Sequence, residues 1–490
     1  MRRNGFDLQR WVSIFLLLAA AALFFIELVS YSRERTRLPD LLTVAGIPVG
    51  GITPAEAMER LLQAYSTPVE LSYDDESMLL MPASVGFRLD TDVMIAAAER
   101  ERTDTPFWEG FWDFLWNRPG DPASVPLQAE YSSSQLEAYL QDVAARYDQP
   151  PIPPEPIPGT TRFTSGEPGR VLDIARAENV IGAALQSPRD RKANLPVVNS
   201  DAPKASLNNL EILLKQNIEV TEFDGLVDLY LRDIRTGGTI HFAVLDGVEL
   251  STNPDIAFSA ASIIKISIMT TFFRYEDQPL DPEAERWVTE MITESGNDPS
   301  DWLMQRIDEI RGPLVVSETM QELGLENTFI AGYYYPRAPL LQTYRTPANS
   351  RTDIDTGPDR YTQTTPSEMG TLLGDIYACA NGGGGALIAA FPDEFTPEEC
   401  RTMLELLSEN VLGSLLKGGV PDGTRVAHKH GWRSSPLDMV GDAGIVFSPG
   451  GDYILSVFVW DDQEMVWEPT SRLIADLSRA AYNYFNPPTN

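Results

Sequence analysis

Ser262 and Lys265, within the stretch FSAASIIKIS, place a hydroxyl and an amine three residues apart. On a helix that spacing puts both side chains on one face, where an uncharged amine can take the proton of the hydroxyl and make it a nucleophile. A lysine is uncharged near neutrality only where desolvation or a cationic neighbour lowers its pKa, and Ile263, Ile264 and Ile266 supply apolar surroundings. The same spacing recurs at Ser414-Leu415-Leu416-Lys417, which reads as an ordinary helix end. The pattern therefore needs company before it means chemistry.

That company stands at Ser295-Gly296-Asn297 and at Lys429-His430-Gly431. The elements that must position it begin near residue 207 and run helix, two strands, many helices, then strands again. GLVDLYLRDI and TIHFAVLD alternate apolar residues around Thr236-Gly237-Gly238, and GDAGIVFS and DYILSVFVW turn at Gly450-Gly451, both hairpin signals. An antiparallel sheet with helices inserted between its two ends is an α+β arrangement.

With that order of elements, the three motifs resemble the penicillin-recognising serine enzymes, class A β-lactamases above all, over residues 205–488. The flanks AAS before the serine, SGNDPS and TTPSEM at helix starts, and VAHKHGW on a strand edging a cleft fit as well. The resemblance implies an antiparallel sheet with a helical subdomain and a serine hydrolase without cofactor. It also implies roles: Ser262 attacks a carbonyl, Lys265 takes its proton, Ser295 relays a proton to the leaving nitrogen, and Asn297 fixes Lys265 and the substrate. Lys429, His430 and Gly431 would hold the substrate carboxylate. The oxyanion hole would join the Ser262 N–H to one on the strand after Gly431, at Arg433 or Ser434. The substrate would be a β-lactam or a D-Ala-D-Ala-like stem peptide of peptidoglycan.

Three departures qualify the likeness. Ser295 follows Ser262 by only 33 positions, shorter than is typical of class A enzymes. His430 replaces the usual Thr or Ser, so its imidazole either turns aside or reshapes the carboxylate site. Residues 327–367 contain no Glu, where class A enzymes carry the base for deacylation; Asp353, Asp355 and Asp359 are the acids there, and loop acids more commonly just meet solvent. The expectation is an enzyme that acylates more readily than it hydrolyses. The alternative is a catalytically silent wall-binding protein. His241, His428 and His430 come with no Cys/His cluster, so no metal site is expected.

Upstream, Trp11 to Ile26 is apolar but for Ser13, and continuing to Tyr31 gives about 20 residues, roughly 30 Å of helix, enough to cross a bilayer. Arg2, Arg3 and Arg10 precede it, which places the N-terminus in the cytoplasm, although Arg33, Arg35 and Arg37 weaken the asymmetry. Without a small-residue cleavage site, an uncleaved signal anchor over residues 1–34 is favoured over a removed signal peptide. The bulk of the chain would then be extracytoplasmic, held to the cell membrane by a single pass. With 71 acidic against 38 basic residues, the net charge of -33 repels phosphate backbones and argues against nucleic acid.

Between anchor and hydrolase, strands and helices alternate in two echoing halves, 38–118 and 119–203, one internal duplication or two halves of one domain; Thr53 and Glu56 mark a capping box. The segments GIPVGGITPAEA and PASVGFRLD resemble the peptidoglycan-binding domain found ahead of L,D-transpeptidase and VanW-like domains, which implies cell-wall glycan as a partner. QPPIPPEPIPG, in the second half, reads as an extended polyproline-like loop. Trp108, Trp112 and Trp116, beside Phe107, Phe111 and Phe114, form a helical stripe expected in the core or an interface, with sugar stacking or a membrane surface as the alternatives. Cys379, near one helix end, and Cys400, near the next helix start, can pair in an oxidising compartment or remain two buried thiols.

Overall fold

The computed structural model describes residues 5–118, 120–276, 278–382 and 384–487, without the side chains of residues 5–8. Arg2 and Arg3, and the last residue of the expected hydrolase region, lie outside the described residues. The chain divides into two compact units, one of residues 1–152 and 167–202, the other of residues 153–166 and 203–490.

The first unit begins with helix α1 (Gly5–Glu34). It includes the 26-residue stretch Gln9–Glu34, within which an 18-residue segment reaches a mean hydropathy of 2.6, long and apolar enough to cross a membrane. Helices α2 (Pro54–Ser66), α3 (Thr91–Asp104), α4 (Phe107–Leu115), α5 (Ser133–Tyr147) and α6 (Ile174–Gln186) follow, with short strands between them. The expected capping box starts α2: Thr53 Oγ1 accepts from the Glu56 N–H, and Glu56 accepts from the Thr53 N–H. The two halves do not fold apart. Thr43–Val44 pairs with Ser124–Val125, Arg88–Leu89 with Ala129–Glu130, and Val69–Tyr73 with Lys192–Asn194, all around one core that runs from Leu38 to Leu195. Halves that share strands and a core make one folding unit.

Two expectations need correction here. The Pro-rich segment is divided, residues 149–152 going with the first unit and 153–159 with the second, where Asn209 donates to the Pro154 carbonyl. Its prolines leave gaps in the pairing, but Gln149, Ile152 and Pro156 still form isolated antiparallel bridges to Arg170, Glu167 and Phe163. The tryptophan stripe is not core: Phe111 is buried, while Trp108, Trp112 and Trp116 are 57%, 52% and 70% exposed. Periodicity defines a face but not which face is turned inward, and here the phenylalanines take the inner one.

In the second unit, six antiparallel strands form one sheet: β1 (Leu226–Asp233), β2 (Thr239–Leu245), β3 (Val248–Glu249), β4 (Arg425–Trp432), β5 (Met439–Phe447) and β6 (Tyr453–Trp460), in the order β3-β2-β1-β6-β5-β4. Leu226 pairs with Trp460 and Asp233 with Tyr453, so the first and last strands meet in mid-sheet. Both predicted hairpins are present, and the helices are inserted between them as the α+β reading requires. Along β6, Ile454 and Phe458 face one core while Leu455, Val457 and Val459 face another, the alternation that buries both faces of a sheet. Helices α7 (Leu207–Val220) and α14 (Trp467–Phe485) cover the second face.

Helices α8 (Lys265–Tyr275), α9 (Pro282–Thr293), α10 (Asn297–Ile307), α11 (Gly312–Glu322), α12 (Pro366–Ala380) and α13 (Pro397–Ser408) build the other layer. A disulfide joins Cys379 of α12 to Cys400 of α13, with Cα atoms 5.9 Å apart.

Candidate active site

Ser262 sits in a 3₁₀ turn, Ala261–Ile264, that runs directly into α8, so the pair expected on one α-helix straddles a change of helix type. Every residue of α8 from Lys265 to Phe273 is buried. Ala261 holds a left-handed backbone (φ 46°), as does Ser295 (φ 64°) in the two-residue link between Glu294, which caps α9, and α10. Non-glycine residues in that region cost of order 1–3 kcal/mol each and persist only where surrounding packing holds them. Two of them flank the serine and its partners.

Lys265 Nζ lies 3.0 Å from Ser262 Oγ, 2.8 Å from Asn297 Oδ1, 2.6 Å from the Ser295 carbonyl and 3.4 Å from Ser295 Oγ. Burial, reinforced by the charge on Lys429, pushes its pKa down to about 7, against a smaller opposing pull from Asp301. A neutral amine has two N–H donors and one lone pair. The Asn297 and Ser295 carbonyl oxygens accept the two donors, which leaves the lone pair for the Ser262 hydroxyl.

Lys429, on β4, donates to Ser295 Oγ at 3.0 Å, and burial lowers its pKa to about 8 while Asp442 holds it up. Ser295 Oγ thus stands between the two amines. Gly431 faces the serine turn across a gap with no room for a side chain: a Cβ there would come within 2.8 Å of the Ser262 nitrogen and 3.0 Å of that of Ile263. The structure therefore brings Ser262, Lys265, Ser295, Asn297, Lys429 and Gly431 together.

The remaining expectations are redistributed. The Arg433 N–H donates to the Met439 carbonyl, so it cannot serve an oxyanion. In an antiparallel ladder successive N–H groups point to opposite sides, and the one on the edge of β4 that turns away from β5 toward the Ser262 turn is Trp432. The Arg433 guanidinium pairs with Asp438 at 2.9 Å and donates to the Gly357 carbonyl. His430 does not enter the cleft. Its ring stacks on Trp432 at 5.2 Å and meets Asn410 Nδ2 through Nδ1, and burial, then Lys429, drives its pKa down to about 3, so it is neutral.

A cleft of about 610 Å³ opens above Ser262 and Asn297, walled by Tyr333–Tyr335, Tyr361, Trp432 and the Arg433–Ser435 segment. Ser434 lies on this wall, past the end of β4. Of the three loop acids only Asp359 lines the cleft; Asp353 is bound to Arg351 at 2.6 Å, and Asp355 accepts the Gly357 N–H.

Sequence reasoning missed Asp301, buried one turn beyond Asn297 on α10, whose two oxygens accept the N–H groups of Tyr334 and Tyr335. It fastens the wall to the helix that carries Asn297, and it brings the Tyr334 ring to 5.2 Å from Lys265 Nζ. The spacing of four between Asn297 and Asp301 was the one signal available.

A family model described as "Beta-lactamase enzyme family" matches residues 273–485, which takes in Ser295, Asn297 and Lys429 but begins after Lys265. Together with the sheet and its helical layer, this match makes the second unit β-lactamase-like in fold. Comparison with curated proteins gave no match. Among solved structures, PBP-A is 23% identical, over 58% of this chain and 99% of its own, with a TM-score of 0.40. A PBP-A mutant solved as an acyl-enzyme complex with penicillin G gives 23% identity, 59% and 100% coverage and a TM-score of 0.41. The β-lactamase of Desulfarculus baarsii gives 16%, 57%, 99% and 0.41.

Proposed function

We propose that this chain is a membrane-anchored, extracytoplasmic serine hydrolase of the class A β-lactamase type, acylated at Ser262 by β-lactams or by D-Ala-D-Ala-like wall peptides. The observation that carries the reading is the 3.0 Å approach of a buried amine, with its pKa near 7, to Ser262 Oγ. Lys265 accepts the serine proton as Oγ attacks the carbonyl. The oxyanion that forms is received by the N–H groups of Ser262 and Trp432, preorganised donors of the kind that supply much of enzymatic rate enhancement. Ser295, bonded to Lys429, passes a proton to the departing nitrogen, and the Lys429 charge attracts the substrate carboxylate.

Deacylation is the weak step. Asp359 is the one loop acid on the cleft wall, and an aspartate is a methylene shorter than a glutamate; a misplacement of about 1 Å costs on the order of a hundredfold. The first unit would hold wall glycan, a reading supported by the GIPVGGITPAEA and PASVGFRLD segments alone, and α1 would anchor the chain.

A fluorescent penicillin tests the reading. A covalent label on the full chain that vanishes in Ser262→Ala is expected, persisting long after free drug is removed. No label, with binding to wall sacculi retained, would leave the silent wall-binding protein in its place; rapid turnover of a chromogenic cephalosporin would remove the claim of weak deacylation.

A further inference from the structure

The aromatic helix α4 is fixed to the outer end of α1 by contacts that only a close fit allows. Tyr31 of α1 meets Phe107, Phe111 and Phe114 at 5.3, 5.6 and 5.4 Å, and Phe24 meets Phe111 edge-on at 5.3 Å. Gly110 is required there: a Cβ would stand 2.2 Å from the Tyr31 hydroxyl oxygen. Arg35, just past α1, donates to the Thr105 carbonyl, and Arg102 donates to the carbonyl of Arg35. Phe24 lies two residues inside the end of the apolar run Trp11–Ile26, and Tyr31 about 10 Å further along the axis. The contacts of α4 thus follow the last turns of the span, where a bilayer gives way to water.

The face of α4 turned away from these contacts carries Trp108 and Trp112, one helical turn apart, with Trp116 at its end, all more than half exposed. Three exposed indoles on so short a helix are costly in water, whereas indole is the side chain most at home at headgroup depth. We infer that α4 is a second membrane contact: it lies in the outer interface of the bilayer that α1 crosses, with Trp108, Trp112 and Trp116 among the lipid headgroups. The net charge of -33 gives anionic lipid no electrostatic advantage, so the surface recognised is a neutral one, bound by aromatic burial. Tyr31 and Phe24 are part of this seat, so the contact also requires α1 to remain attached. The inference rests on reading α1 as a span.

The full chain in phosphatidylcholine vesicles tests both levels. Flotation with the vesicles reports the anchor. Quenching of tryptophan fluorescence by phosphatidylcholine brominated near the headgroup reports α4, in the wild type and in a Trp108→Phe, Trp112→Phe, Trp116→Phe triple variant. We expect strong quenching that falls about fourfold in the triple variant, Trp11 in the span being left as the principal lipid-facing indole. Flotation with these indoles quenched by aqueous iodide instead, whether or not a soluble glycan protects them, overturns the inference and leaves the anchor standing. Flotation with quenching by neither agent means that protein covers the helix and also overturns it. Failure to float removes the anchor and the inference together. Bromines placed at different depths test the wild type without any substitution: shallow ones are expected to quench more strongly than deep ones, and equal or weaker quenching by the shallow ones overturns the headgroup placement.

Discussion

The chain holds two Ser-x-x-Lys segments with opposite fates. Lys265 is buried at the start of an α-helix, with Ser262, Ser295 and Asn297 around its amine and a second lysine nearby. Lys417 lies in a four-residue helix, and its amine donates to the Thr424 carbonyl a few residues past that helix's end. Leu415, between Ser414 and Lys417, sits at φ 58°, so no continuous helix carries both side chains on one face. A hydroxyl and an amine at this spacing become a nucleophile and its base only where the fold removes water and brings distant partners to the amine. The four-letter pattern by itself states neither condition.

Substitutions break the comparison in order of size. Ser262→Ala abolishes penicillin labelling, while Ser414→Ala leaves it at the wild-type level; gel fluorescence of labelled protein reads both. Lys265→Arg keeps the charge but supplies no base, because guanidinium stays protonated, and acylation falls by about 10²–10⁴-fold in stopped-flow measurements, whereas Lys417→Arg changes it little. Gly431→Ala drives a methyl against the backbone of the serine turn, which cannot yield as a flexible side chain would, and lowers acylation about a hundredfold with the fold retained by circular dichroism.

The smallest effect is that of pH. Lys265 must lose its proton to act, and Lys429 must keep its own to attract a carboxylate. Acylation therefore rises through pH about 7, by about tenfold per unit below it, and declines above pH about 8, the limits of a narrow bell whose apparent values belong to the coupled pair. A flat profile from about pH 6 to 9 counts against both roles.

Much of this was legible in residue order. The three motifs, both hairpins, the capping box at Thr53 and the helices opened by SGNDPS and TTPSEM depend on local chemistry, and the structure places them where the sequence suggested. What escaped depends on pairing and direction. Choosing between Trp432 and Arg433 needs the register of β4 on β5, which a one-residue shift reverses. The turn of His430 away from the cleft needs Asn410, 20 positions away, and the tie from Asp301 to the Tyr334–Tyr335 wall joins segments 33 and 34 positions apart. The tryptophan stripe was visible as a stripe, but α1 decided which side of it faces outward.

The charge state of Lys265 is the most direct measurement to make. In the full chain labelled with [¹⁵N]lysine and assigned with Lys265→Arg, a titration midpoint for Nζ near pH 7 is expected. An amine beside Ser262 that stays protonated up to about pH 10, as an unperturbed lysine does, contradicts its part as the base.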